Sequence, residues 1–185
     1  MSEFLAVLIG AALINNLIVG QALAADALRG ARLSALGPAT ALLIVLACPL
    51  AWAVQHGLLR PLGLEYLQLL VLVALAAPLA WLSLQLLTRL RPHWASDTLW
   101  PLLLVNGAGL GSMLLAQALD SFTTVLALSI GAGLGFWLAL QLLADLLERI
   151  EACDVPVFFK GTPVCLISAG LMGLAFLGFS GLGGA

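Results

Sequence analysis

Charge is scarce in this chain. Of 185 residues only 9% are Asp, Glu, Lys or Arg, against roughly a quarter in soluble domains, and the net charge is -2. Seven basic residues are too few and too scattered to grip a phosphate backbone, which excludes nucleic-acid binding. Cysteine is scarce too: Cys48, Cys153 and Cys165 form an odd set without CxxC or CxxxC spacing, so neither a disulfide framework nor a zinc motif is encoded. The two histidines, His56 and His93, fall in loops on opposite sides of the expected membrane, and neither a Ser/His/Asp set nor a cofactor-binding glycine loop appears. On its own the chain is not expected to be an enzyme.

Apolar residues take the place of charge. They make up 63% of the sequence, and the mean hydropathy is +1.15. A membrane span takes about 20 residues, so six would fill roughly 120 positions and leave only short loops. Apolar runs bounded by charges and turn residues predict spans near Phe4 to Ala25, Pro38 to Gln55, Tyr66 to Leu87, Leu99 to Leu119, Phe122 to Leu146 and Thr162 to Leu182. The expected class is therefore an all-α integral membrane protein with one six-span domain over residues 1–185. The first run lacks the basic start and the cleavage site of a secretory signal, so it reads as a retained helix.

The few basic residues orient the chain. Arg29 and Arg32, Arg89 and Arg91, and Arg149 and Lys160 fall in loops 1–2, 3–4 and 5–6, whereas the opposite side carries Arg60 alone. Since Lys and Arg accumulate in cytoplasmic loops, both termini are expected outside the cytoplasm, in the periplasm of a double-membrane bacterium. Trp52, Trp81, Trp94, Trp100 and Tyr66 lie mostly near predicted span ends, as an aromatic belt does.

A polar residue at membrane depth is costly and marks a candidate site. Asn15 and Asn16 fall near the middle of span 1, and Asn106, followed by Gly107, Gly109 and Gly111, falls near the middle of span 4. Asn beside Gly continues a helix poorly, so both segments are expected to be interrupted. Spans 1 and 4 open two sets of three, with halves at roughly 1–90 and 91–185. An odd number of spans per set inverts the second set, and matched interruptions in inverted halves point to a midplane site. The competing reading treats these residues as glue between helices. Gly131, Gly133 and Gly135 in span 5, and Gly170, Gly173 and Gly178 in span 6, are expected to be packing faces. Pro49 and Pro78 should kink spans 2 and 3. Asp145 is expected to pair with Arg149, and Cys48 and Cys165 to be small buried residues.

From Glu148 onward the sequence carries Glu148-Arg149-Ile150, Asp154-Val155-Pro156 and Phe159-Lys160-Gly161. It then closes with Ile167-Ser168-Ala169-Gly170-Leu171-Met172 and Ala175-Phe176-Leu177-Gly178-Phe179-Ser180-Gly181. This resembles the family of A-type subunits of the Rnf electron transport complex, which has ERL, DVP and FRG and ends on ITAGLMxLAFMGFSG. Asn15-Asn16, Arg60-Pro61-Leu62, Leu64-Glu65-Tyr66-Leu67, Pro101 with Asn106, and Gly135-Phe136 extend the resemblance over essentially the whole chain. The sodium-pumping quinone reductase has a similar subunit, but the AFxGFSG ending favours Rnf.

The resemblance implies a bacterial inner-membrane subunit of a ferredoxin:NAD oxidoreductase that couples electron transfer to Na+ or H+ movement. It also implies a central core formed with a homologous, inverted E-type subunit, alongside flavin and iron–sulfur subunits. In the family each interrupted helix carries one cysteine, and the two subunits share a two-iron two-sulfur cluster. Alignment on the asparagines places Asp26 and Gly107 at those cysteine positions, so this chain alone is expected to bind no cofactor and no metal. The residues expected to line the midplane are Asn15, Asn16, Asn106, Gly107 and Asp26. Asp154, Pro156, Lys160 and Gly161 are expected to contact other subunits. A self-contained six-span transporter, and a structural scaffold that has lost the cluster, are the alternatives.

Overall fold

A computed structural model describes residues 2–14, 33–90 and 99–178. In hydrocarbon no water is available to bond backbone N–H and C=O groups, so a long apolar run satisfies them within itself and becomes a helix. The described elements follow that rule. They are α1 (Ser2–Ile9), α2 (Leu33–Val54), α3 (Arg60–Leu62), α4 (Gln68–Leu90), α5 (Leu99–Val105), α6 (Gly107–Gln117), α7 (Phe122–Glu151) and α8 (Thr162–Leu177), with no strand among the described residues. Among the described residues four stretches are long and apolar enough to cross a membrane, namely Leu36–Leu62, Glu65–Arg89, Leu99–Gln117 and Phe122–Ile150, while α8 is a shorter apolar helix. They correspond to predicted spans 2 to 6, and α1 begins span 1.

Several boundaries differ from expectation. Span 2 does not stop at Gln55: α2 passes into a π-helical turn, Gln55–Leu59, and on through α3 to Gly63. Gly63 ends it with φ +67°, a left-handed conformation that glycine adopts without a Cβ clash. Of the side chains that read as a span boundary, His56 and Arg60 are bonded along this extension and Gln55 is buried in it. Pro49 and Pro78 both lie inside continuous helices, α2 and α4. Asp145 accepts a hydrogen bond from Gln141 Nε2 at 3.1 Å and, among the described residues, makes no ion pair with Arg149. Gln141, one turn earlier on the same helix, takes the carboxylate instead.

Small residues set the packing of the bundle, as they do where lipid supplies no hydrophobic drive between helices. A Cβ added at Gly131 would stand 2.4 Å from the Leu8 carbonyl oxygen, and one at Gly135 would stand 2.3 Å from that of Ala12. Span 1 therefore lies backbone-to-backbone on α7. At Gly133 the Ala41 carbonyl and Val45 are the neighbours, and at Gly37 it is Trp137. The span-5 glycines are packing faces, as expected. At Gly170 in α8, and at Gly178 just after it, an added Cβ meets no described atom within 4 Å.

The contacts fix the directions of travel. Leu8 faces Gly131 and Ala12 faces Gly135, so spans 1 and 5 run parallel. Gly37 meets Trp137 while Gly133 meets Val45, so α2 and α7 are antiparallel. Thr40 pairs with Asn106 and Ala51 with Gln117, so α2 and α6 are parallel. Exchanging span 1 with 4, 2 with 5 and 3 with 6 turns the 1–5 pair into the 4–2 pair, and the 2–3 pair into the 5–6 pair. All of these pairs are packed, as two inverted three-helix repeats require. Phe136, Ile44, Leu140 and Met113 lie fully buried between the central helices.

Candidate functional site

The interruption expected in span 4 is present and falls on Asn106. α5 stops at Val105, Asn106 is extended (φ −66°, ψ 109°), and α6 starts at Gly107. The Asn106 amide holds the break in two ways. Its Oδ1 accepts from Ala108 N–H at 3.0 Å, capping α6, and its Nδ2 donates 2.9 Å to Thr40 Oγ1 on α2. Asn106 is 3% exposed and Thr40 fully buried, so these bonds form in a dry environment. An N-cap is worth about 1 kcal/mol, and an interhelical hydrogen bond in a membrane protein about 0.6 kcal/mol on average. Gly109 then lets α6 close on α2, since an added Cβ there would meet Leu43 at 3.0 Å.

Gly107 is half-buried at the first turn of α6. Asn15, Asn16 and Asp26, the other predicted midplane residues, lie outside the described residues. Within the described part of span 1, helix α1 gives way to a π-helical turn over Gly10–Ile14, directly before Asn15. π-turns occur disproportionately at functional sites.

The two-iron two-sulfur cluster suggested by the resemblance needs thiolates or imidazoles at the interruption. Gly107 offers neither. Cys48, buried on α2, stands two turns past Thr40, about 12 Å along the helix at 1.5 Å per residue. Cys165 is buried on α8, and Cys153 is exposed beyond α7, its thiol donating to the Arg149 carbonyl oxygen at 3.5 Å. No group of three or more His, Cys, Asp or Glu gathers among the described residues. The described residues at the break thus do not fit a cluster.

The predicted contact residues occupy the other polar region. Asp154, Pro156, Lys160 and Gly161 are all exposed in the segment joining α7 to α8. Val157–Phe159 forms a 3-10 turn there, with Phe158 93% exposed. Gly161, with φ +83°, turns the chain into α8, where Pro163 occupies the first turn. Lys160 and Gly161 line a cleft of about 310 Å³ with Ile150, Cys153, Val155 and Val164. Asp154 and Pro156 do not line it.

Sequence reasoning passed over a third polar group, at the end of the bundle where loops 2–3 and 4–5 meet. Trp52 Nε1 donates 2.8 Å to the Leu119 carbonyl oxygen, which ties loop 4–5 to α2. The Trp52 ring stacks on His56 at 4.3 Å, His56 Nδ1 contacts the Trp52 carbonyl oxygen at 3.1 Å, and Arg60 Nη1 donates 2.8 Å to His56 Nε2. Arg60 Nε also lies 3.9 Å from Glu65. Beside this chain Gln68 Nε2 donates to Gln117 Oε1, and Gln117 Nε2 donates 3.4 Å to the Ala51 carbonyl oxygen. Glutamines scattered over three predicted spans gave no local spacing that could have announced the cluster.

Long apolar helices, small-residue packing and an interrupted span with a buried amide together define a multi-pass, all-α membrane protein. The profile described as "Rnf-Nqr subunit, membrane protein" matches residues 4–183. The chain belongs to this Rnf-Nqr family of membrane subunits. It is 38% identical to the A-type subunit of the ion-translocating oxidoreductase complex of Pseudoalteromonas atlantica, with 98% of each chain covered. It is 36% identical to that of Vibrio parahaemolyticus, over 98% of this chain and 99% of the relative. With the Syntrophotalea carbinolica protein of the same name it shares 35% identity over 98% of both.

Proposed function

We propose that this chain is a non-autonomous membrane subunit of an Rnf-type ion-translocating oxidoreductase complex, in the A-type position that its relatives' names specify. The observation that carries the reading is end-to-end similarity to those relatives, with 98% of the chain covered and an interrupted span at Asn106. The complex transfers electrons between ferredoxin and NAD and couples them to Na+ or H+ movement. This chain contributes scaffold and midplane lining rather than bond-making groups. It sits in the bacterial inner membrane with both termini periplasmic, a placement supported by the six-to-one division of its basic residues. Its principal partner is a homologous, inverted E-type subunit, and flavin and iron–sulfur subunits complete the assembly. Gly107 and Asp26 supply no thiolate, so any two-iron two-sulfur cluster at this interface draws its cysteine ligands from elsewhere.

Within the complex, Asn106 keeps the two half-helices of span 4 aligned, and the Asp154–Gly161 segment presents polar and aromatic groups to other subunits. Tagged chain purified in mild detergent should bring down flavin-containing and iron–sulfur polypeptides, and recovery as a homo-oligomer alone would overturn the reading. Asp154→Arg should lower recovery of those partners several-fold without changing the amount of the chain in the membrane. A reporter that works only outside the cytoplasm, fused to Ala185, should be active.

A further inference from the structure

The glutamine cluster at the loop 2–3 and 4–5 end of the bundle holds an oxygen without a partner. Gln55 is 6% exposed, and among the described residues its Oε1 is a buried side-chain acceptor with no hydrogen bond. An unmade hydrogen bond at a buried polar group costs about 1–3 kcal/mol, so such an atom requires a reason. Ala51, Gln55 and Leu59 are all buried and follow one another at four-residue spacing along the side of α2 and its π-turn that faces the bundle. The carbonyl oxygen of Ala51, one turn below Gln55, already takes the Gln117 amide. Two amides and a backbone carbonyl thus meet where spans 2, 3 and 4 end, and the buried Gln55 lies one helical turn from that carbonyl.

No neighbouring donor reaches that oxygen in the described structure. Trp52 Nε1 goes to Leu119, His56 is bonded at both ring nitrogens, and one N–H of each of the Gln68 and Gln117 amides is used between these side chains and Ala51. What satisfies Gln55 Oε1 must come from outside these side chains and must be electron-poor. The gathered ligands are neutral, hard oxygens, and no carboxylate is among them, which disfavours Ca2+ and Mg2+. The nearby Arg60–Glu65 pair is charge-balanced and exposed. The terminal torsion of glutamine is broad and roughly two-fold, so Gln68 and Gln117 can each turn an oxygen inward.

We propose that Gln55, Gln68, Gln117 and the Ala51 carbonyl form a weak binding site for a partly dehydrated monovalent cation, with Na+ as the probe. A neutral oxygen set without a fixed charge binds such an ion loosely, as a site along a conduction route must if the ion is to leave again. Its physiological meaning rests on the reading of the chain as part of an ion-translocating complex; the binding itself does not.

The test uses the chain purified in mild detergent with whatever subunits accompany it. Its unfolding midpoint is followed in NaCl against choline chloride at equal ionic strength, together with the 23Na linewidth. Wild type should gain stability in Na+ over choline, saturating in the millimolar range, with a broadened 23Na line. Gln55→Leu should abolish both effects, and Gln68→Leu should raise the half-saturating concentration at least tenfold. Identical curves in Na+ and choline for wild type mean that the oxygen holds water, and would overturn the proposal. So would a Gln55→Leu protein that keeps the Na+ response. A chain that recovers its partners but ignores Na+ sinks this site alone, and one that binds Na+ without partners sinks the assembly reading alone.

Discussion

Two departures from the α-helix lie in the same bundle and behave in opposite ways. At Asn106 span 4 breaks outright, yet both ends of the amide are used: one caps α6 and the other crosses to Thr40. At Gln55–Leu59 span 2 merely loosens into a π-turn and its backbone runs on, yet a buried side-chain oxygen finds no partner among the described residues. The larger disturbance is the better satisfied. A kink or gap in a helix is therefore a poor guide to where a ligand is needed, and the tally of unpaired buried groups is a better one.

The largest effect expected from breaking this contrast is at Asn106. Asn106→Leu removes the cap, strands the Ala108 N–H and leaves Thr40 without its partner, which together should cost about 2–4 kcal/mol in reversible unfolding from mixed micelles. Thr40→Val touches the cross-helix bond alone and should cost about 0.6–1.7 kcal/mol by the same measurement. Gln55→Leu, measured in choline, deletes an acceptor that has no partner and should change stability by less than about 0.5 kcal/mol in either direction. A Gln55→Leu loss as large as that of Asn106→Leu would erase the distinction between the two sites.

Much of this architecture was readable from composition because lipid leaves a chain few choices. Apolar runs of sufficient length must be helical, and the runs beginning at Pro38, Tyr66, Leu99 and Phe122 are. The break at Asn106 was legible because Asn followed by Gly favours the cap conformation over the helix interior. The continuation past Gln55 was not. Gln55, His56 and Gly57 read as a polar exit from the membrane, whereas the helix runs on to Leu62 with His56 and Arg60 bonded to partners on the same helix. The Asp145 misreading has a similar origin: helical spacing permits both Gln141 and Arg149, and sequence does not rank them. The glutamine cluster was invisible for a different reason, since its members come from spans 2, 3 and 4 and meet only when the bundle closes.

The helix that receives span 1 carries a consequence for biosynthesis. Leu8 and Ala12 lie against Gly131 and Gly135, so the described part of the first helix seats on the fifth span. The two surfaces are separated by more than 120 residues of chain. At 5–20 residues per second, the first helix waits roughly 6–25 s in the membrane before the ribosome has made the surface it belongs on. During that interval its close-packing face is open to lipid and to other newly inserted helices. The amino-terminal three-helix half thus cannot complete its own packing, and folding of this protein is settled only as span 5 arrives.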